Sequence, residues 1–335
     1  MDNQRAPRNY SSGTVKRDNR QQQQKLVVIL ICAVIALLLV VFMTIISAKI
    51  VLALTGGINN ANPNDVKYKD ISIDSTQTLY GPLALVNSDH EYQFPSKAGE
   101  SLVNIWDYRT THTAEGANPA YKVSFNTLVI DGKALPSIHQ WLSDFSKATG
   151  KNDVMISSSY RTFEDQQKYS VPAGQSDHHT GFGITLKIYS DSVTLPVYDN
   201  PDYYTWLKDN AHKYGLVVRY PEGKEEITGI SNYIEYFHYV GYGPAQYMHQ
   251  NGLSLEEFVA QIKSYSVDNA LHIEDANGKE WLIYYAACPG DMATIKVPSN
   301  FAYTMSGDND GGVIICVSLS KDDVQQVEQT ETSAQ

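Results

Sequence analysis

The stretch "SDHHTGFGITLKI", Ser176–Ile188, decides how the chain is read. Its second half alternates apolar Ile184, Leu186 and Ile188 with Thr185 and Lys187, the pattern of a strand with one buried face. Its first half sets two histidines, His178 and His179, at the entrance to that strand. Neighbouring side chains on extended backbone point to opposite faces, so only one of the two can aim at a given ion. Thr185, on the strand itself, is a neutral hydroxyl and a poor zinc donor beside carboxylate, imidazole or thiolate. Lys187 shares its face, and an ammonium there repels a cation.

Working outward, "DVMISSSYR" before this stretch reads as a strand leading into a loop, and "TFEDQQKY" as a short helix capped by Thr162. "ALPSIHQWLSDFSKATGK" carries Leu135, Ile138, Trp141, Leu142 and Phe145 at helical spacing and stops at Gly150. "DNPDYYTWLKDNAHKYG" is a helix capped by Asp199 or Asn200, with Pro201 in its first turn and Gly215 at its end. "LVVRYP" and the aromatic "SNYIEYFHYVGY" read as strands. "SLEEFVAQIKSY" starts with a Ser254/Glu257 capping box. Earlier, "LYGPLALVN" is strand-like. From 266 to 320 short strands alternate with turns, including an Asn-Gly hairpin in "HIEDANGKEWLIYYAAC". "AYTMSGDNDGG", Ala302–Gly312, lacks the later acidic residue of an EF-hand and reads as a turn between strands.

Leu26–Ala48 is a run of 23 residues without a charge. That length crosses a bilayer as a helix. Six basic residues and two acidic ones precede it, so the positive-inside rule puts the N-terminal tail in the cytoplasm and the remainder outside. The whole chain carries a net charge of −11 although that tail is basic, so the rest is strongly acidic. A nucleic-acid partner needs a basic surface and is not expected. Cys288 and Cys316 lie in apolar, strand-like segments outside the span; a disulfide and two buried thiols are both compatible with the sequence.

Several landmarks occur in order: "SSSYRTFEDQ" (157–166), "SDHHTG" (176–181), "WLKDNAHKYGLVVRYPEGKEEITGI" (206–230), "YVGYGPAQYM" (239–248) and "GLSLEEF" (252–258). Together they resemble the zinc-dependent D-alanyl-D-alanine carboxypeptidases of the VanY type over roughly residues 80–265. The resemblance implies an α+β fold with a central antiparallel sheet and flanking helices, of the D,D-carboxypeptidase/hedgehog-like kind. It implies trimming of the terminal D-alanine from peptidoglycan stem peptides. It also implies three zinc ligands: a His in Ser-x-His-x-Thr-Gly, an Asp seven residues later, and a His after a catalytic Glu. An Arg in Ser-x-Tyr-Arg binds substrate.

His178 matches the first ligand and Arg161 the substrate Arg, with Ser176 beside them. Thr185 replaces the Asp. The last motif aligns in two ways. With a shift, Glu235 is the base and His238 the ligand. Without one, Tyr233 takes the base position and Tyr236 the ligand position. The ungapped alignment needs fewer assumptions and agrees with the loss at Thr185.

The expected organisation is a cytoplasmic tail (1–25), a transmembrane helix (26–48), a linker (49–78), a D,D-carboxypeptidase-like domain (79–265), a small all-β appendage (266–320) and an acidic tail (321–335). Three functions follow. The chain recognises a D-Ala-D-Ala stem peptide without completing a zinc site, through Arg161, Ser176, Tyr233 and Tyr236. Alternatively it is an active enzyme with zinc as cofactor on His178 and His238 and Glu235 as base. Or it is a cell-wall scaffold with no enzymatic role. In each reading it sits in the cell membrane of a bacterium.

Overall fold

A computed structural model describes residues 59–96, 99–231 and 233–323. The proposed membrane span and the two chain ends lie outside these residues. Among the described residues no helix is long and apolar enough to cross a membrane. The described fold is mixed α+β, as expected.

The central sheet runs in the order Lys122–Val123, Val154–Ser158, Gly183–Ser190, Tyr236–Tyr239, Leu216–Val218, with Val193–Pro196 added as a hairpin to Gly183–Ser190. All its pairings are antiparallel except the first, which is parallel. Gly183–Ser190 is the middle strand, and Ile184, Leu186 and Ile188 point into the main core. Their partners there come chiefly from helix Leu135–Thr149, whose Leu135, Ile138, Trp141, Leu142 and Phe145 are buried. Each such side chain contributes roughly 1.5–3 kcal/mol of transfer free energy. Gly150 ends that helix in the left-handed conformation (φ 71°), which glycine adopts without steric cost. Asn200, rather than Asp199, caps helix Pro201–Ala211 by accepting from the Tyr203 backbone N–H.

A second sheet has the order Leu271–Glu274, Glu280–Ala287, Gly312–Ser318, Tyr303–Gly307. Helices Tyr242–Asn251 and Leu255–Ile262 pack against it through Ala245, Met248, Phe258 and Val259. The first of these helices follows directly from the aromatic strand, where the sequence shows only a continuation of strand-like residues. Ala302–Gly312 is a strand running into a turn, with the Asp308 side chain accepting from the Asp310 and Gly312 backbone N–H groups.

Two expectations are corrected. The segment assigned to a linker (49–78) contains strand Tyr68–Asp74, which pairs antiparallel along its whole length with Met292–Pro298. Its inward Ile73 packs on Ile295 and Val297 in a core shared with the second sheet. The β unit is therefore built from both ends of the described chain. "LYGPLALVN" forms no strand; Gly81 at φ 137° turns the chain, and Leu83 N–H bonds to Ser306 Oγ at 2.9 Å. Cys288 and Cys316 are buried free thiols. Burial pushes the Cys316 thiol up to about 12, so it stays protonated.

Candidate functional site

The site lies where the central strand meets the loops before it and beside it. Ser158 pairs with Thr185 across an irregularity in the register, and Thr185 pairs in turn with Tyr236. Thr185 therefore sits between the loop carrying Arg161 and the strand carrying Tyr236. The cavity in front of it has a volume of about 640 Å³. Arg161, Ser176, His178, Thr185, Tyr233 and Glu235 all line it.

His178 belongs to a short 3-10 turn, Asp177–Thr180, closed by Gly181 at φ 77°. Its Nδ1 lies 2.6 Å from the Ser159 carbonyl. A carbonyl only accepts, so Nδ1 carries the proton and Nε2 presents a lone pair. Nε2 is 3.0 Å from the Tyr233 hydroxyl. The same hydroxyl is 2.6 Å from Thr185 Oγ1. The donors then fall in one order: Thr185 O–H donates to Tyr233 Oη, and Tyr233 O–H donates to His178 Nε2. Burial, assisted by the Arg161 charge, pushes the His178 imidazole down to about 3, so the ring is neutral at pH 7.

His179 does not join it. In the 3-10 turn its ring swings the other way, with Nδ1 donating to the Arg161 carbonyl at 2.8 Å and Nε2 accepting from Gly174 N–H at 3.0 Å. The divergence expected of neighbours on a strand is produced here by a turn.

Tyr236 is fully buried. Its hydroxyl donates to Asp177 at 2.9 Å, and its ring lies edge-on to His178 with centroids 4.5 Å apart. It stacks with Tyr233 and Tyr220 at interplanar angles of 17° and 22°.

His238 is not poised as a metal ligand, which corrects the shifted alignment. Its Nδ1 is 2.6 Å from Asp177 Oδ2 and its Nε2 is 2.9 Å from the Pro82 carbonyl. Both partners only accept, so both ring nitrogens face acceptors and neither is left to a metal. Asp177 also accepts from Arg219 Nε at 2.9 Å, and Arg219 forks onto Glu256 at 2.8 and 3.0 Å. His238, Arg219 and two carboxylates thus form a buried group that fastens the 3-10 turn to helix Leu255–Ile262. Burial alone would raise the Asp177 carboxyl, but His238 and Arg219 outweigh it and hold it well below the usual carboxylate range.

Glu235 does reach the cavity. It is 9% exposed, and its Oε2 has no hydrogen-bond partner among the described residues. Burial raises its pKa. Arg161 is held open to a ligand: Nε and Nη2 donate to Ser158 Oγ at 3.2 and 2.8 Å, and Nη1 donates to Gln166 Oε1 at 3.0 Å. The guanidinium sits 3.7 Å above the Tyr169 ring. Its charge therefore meets only neutral acceptors and an aromatic face, a suitable receptor for a carboxylate.

The donor set does not fit a catalytic zinc ion. Such a site needs three protein ligands converging on one point. Among the described residues no group of three or more His, Cys, Asp or Glu side chains is placed to hold a metal. The His178 lone pair accepts from a phenol, Thr185 stands where a carboxylate is needed, and Tyr236 offers a hydroxyl engaged elsewhere. Of the residues singled out in the sequence, Arg161, Ser176, His178, Tyr233 and Glu235 line the cavity, whereas Tyr236 and His238 are buried behind it. Sequence reading missed Asp177 and Tyr220, although Asp177 lies inside the quoted motif.

Residues 157–242 match the family model "VanY: D-alanyl-D-alanine carboxypeptidase". The chain is 27% identical over 254 residues to a D-alanyl-D-alanine carboxypeptidase of Enterococcus faecium, covering 73% of this chain and 78% of that one. It is 28% identical over 213 residues to the putative carboxypeptidase YodJ of Bacillus subtilis (strain 168), covering 60% and 74%. In three dimensions it is similar to the vancomycin-resistance D,D-dipeptidase VanXYg, solved with a D-Ala-D-Ala phosphinate analogue. The TM-score is 0.64 at 26% identity, covering 75% of this chain and 99% of that one. The VanY-type domain is thus recognised over residues 157–242.

Proposed function

We propose that this chain recognises peptidoglycan stem peptides ending in D-Ala-D-Ala and does not hydrolyse them by a zinc mechanism. One observation carries the reading: the Tyr233 hydroxyl, bonded to both His178 Nε2 and Thr185 Oγ1, fills the position between them where the resemblance would put the metal. Arg161 remains available for the terminal carboxylate, and the stacked Tyr220 and Tyr233 line the cavity with amphipathic surface, backed by the buried Tyr236. The family domain and the relatives named as carboxypeptidases support the substrate class. Residues 26–48 are proposed to anchor the domain in the membrane, facing the cell wall.

The active-enzyme reading, with zinc on His178 and His238 and Glu235 as base, keeps the support of the Glu235 carboxylate in the cavity. It requires His238 to leave both Asp177 and Pro82, and Tyr233 to leave His178.

The test is titration of the full-length chain with an acetylated peptide ending in D-Ala-D-Ala, monitored for binding and for released D-alanine, with and without added zinc. Binding without release, weakened at least about tenfold by Arg161→Ala, is expected. Zinc-dependent release of D-alanine would support the enzyme instead, and absence of binding would leave the scaffold.

A further inference from the structure

Besides Arg161, the cavity holds a pair of charged side chains, Lys187 and Glu235. Lys187 lies two residues beyond Thr185 on the same face of the strand and also lines the cavity. At about 3.4 Å per residue, its Cα is about 7 Å from that of Thr185. Glu235 lies across from Leu186, the residue before Lys187, because the Leu186 backbone N–H bonds to the Glu235 carbonyl at 3.0 Å. Ile234 and Glu235 form a turn rather than strand, which brings the Glu235 side chain to the cavity and not to the core face opposite.

These two groups do not satisfy each other. The Lys187 charge acts on Glu235 through space without a salt bridge or hydrogen bond between them among the described residues, and Glu235 Oε2 has no hydrogen-bond partner there. A carboxylate oxygen withdrawn from water without a partner costs free energy that a bound donor recovers. An ammonium and a carboxylate side by side but unjoined are complementary to a ligand that carries the opposite charges equally close together. An α-amino-acid head, with –NH3+ and –COO− on one carbon, is the simplest group with that arrangement. A plain carboxylate satisfies Lys187 and leaves Glu235 orphaned; a plain amine does the reverse.

We propose that Lys187 and Glu235 form a subsite for a zwitterionic α-amino-acid head, Lys187 meeting its carboxylate and Glu235 its ammonium. The chemistry has two sources. One is a free D-amino acid. The other is the side-chain end of a diamino-dicarboxylic acid residue within a stem peptide; only this second source rests on the stem-peptide reading above. Lys187 and Glu235 are specificity-determining residues in this account, and Arg161 remains the receptor for the peptide's own terminus.

The test is calorimetric titration of the full-length chain with D-alanine, N-acetyl-D-alanine and D-alanine amide, and with two peptides ending in D-Ala-D-Ala. One peptide carries meso-diaminopimelate at its third residue and the other alanine. Either D-alanine or the diaminopimelate peptide is expected to bind at least about tenfold more tightly than its blocked or neutral counterpart. Glu235→Gln and Lys187→Met should each erase that preference. Which ligand shows the preference identifies the source. Equal binding of zwitterionic and blocked forms, or a preference that survives both substitutions, overturns the subsite. If the preference is absent while the alanine peptide still binds through Arg161, the subsite fails and the stem-peptide reading stands. If neither peptide binds but D-alanine shows the preference, the stem-peptide reading fails and the subsite stands. Thermal melting of Glu235→Gln checks that the variant is folded.

Discussion

Gly183 and Tyr236 are a fitted pair: a Cβ placed on Gly183 would lie 1.9 Å from the Tyr236 hydroxyl and 2.3 Å from its Cζ. The tyrosine ring occupies the space that a side chain on the neighbouring strand would otherwise claim. The aromatic residue at the family's ligand position is therefore built into the packing of the sheet. Gly183→Ala should destabilise the fold by about 1–3 kcal/mol, the usual cost of overpacking a buried site. Urea unfolding of the variant measures this, and unchanged stability would show that the ring has room to move.

The buried charge group around Asp177 predicts a larger loss. Arg219 is fully buried and is the cation shared by Asp177 and Glu256. Arg219→Met leaves two carboxylates facing each other with only His238 to offset them. Breaking one side of a buried ion pair costs about 3–5 kcal/mol. Glu256→Gln, at the more exposed end of the fork, should cost less. Equal, small effects from both variants would mean that water already screens the group.

Acid should weaken the fold early. Burial holds His178 down to about 3 and His212 down to about 4, and lowers His179 as well. Between those values and the ordinary histidine range near 6.5, the unfolded chain takes up protons that the folded chain refuses. Stability is therefore full above about pH 6.5 and falls as the pH drops below it. Asp177 works in a lower window: its depressed pKa contributes stability above the ordinary carboxylate value near 4, lost only on further acidification. Urea midpoints at pH 7.5, 6, 5 and 4 should decline steadily, and a flat profile down to pH 5 would contradict the buried neutral histidines.

Much of this was legible in the sequence because the informative residues are local. The alternation in Gly183–Ser190 set its core face, and the spacing of Leu135 to Phe145 set the helix that covers it. His178 and Arg161 lie inside short motifs whose geometry is fixed by a turn and a strand end. What escaped reading depends on distant partners. His238 is fixed by the Pro82 carbonyl, 156 residues away, so its spacing from Glu235 gave a misleading pattern. Strand Tyr68–Asp74 exists only because Met292–Pro298 pairs with it, and its Asn- and Pro-rich approach looks like linker. Asp177 was passed over because a carboxylate inside a histidine motif declares its role only when Arg219 and Tyr236 arrive from other strands.

If the site has lost its metal by substitution, substitution should return it. Thr185 and Tyr236 are cross-strand partners, and the Tyr236 ring already lies against His178. Thr185→Asp, Tyr233→Glu and Tyr236→His together place a carboxylate and a second imidazole beside His178 and remove the phenol bonded to its Nε2. The triple variant should bind zinc at least about a hundredfold more tightly than the parent, the scale on which three converging ligands exceed one. It should also lose some stability, because Asp177 forfeits the Tyr236 hydroxyl. Equal zinc affinity in the two proteins would show that these positions do not form the metal site.

The central claim is that the Tyr233 hydroxyl, not a metal, joins His178 to Thr185. The most direct measurement is the zinc content of the purified full-length chain after loading with zinc and exhaustive dialysis, read by atomic emission. No retained zinc is the predicted result. One tightly held zinc ion per chain, lost in His178→Ala, would contradict the claim and make Glu235 the base to test.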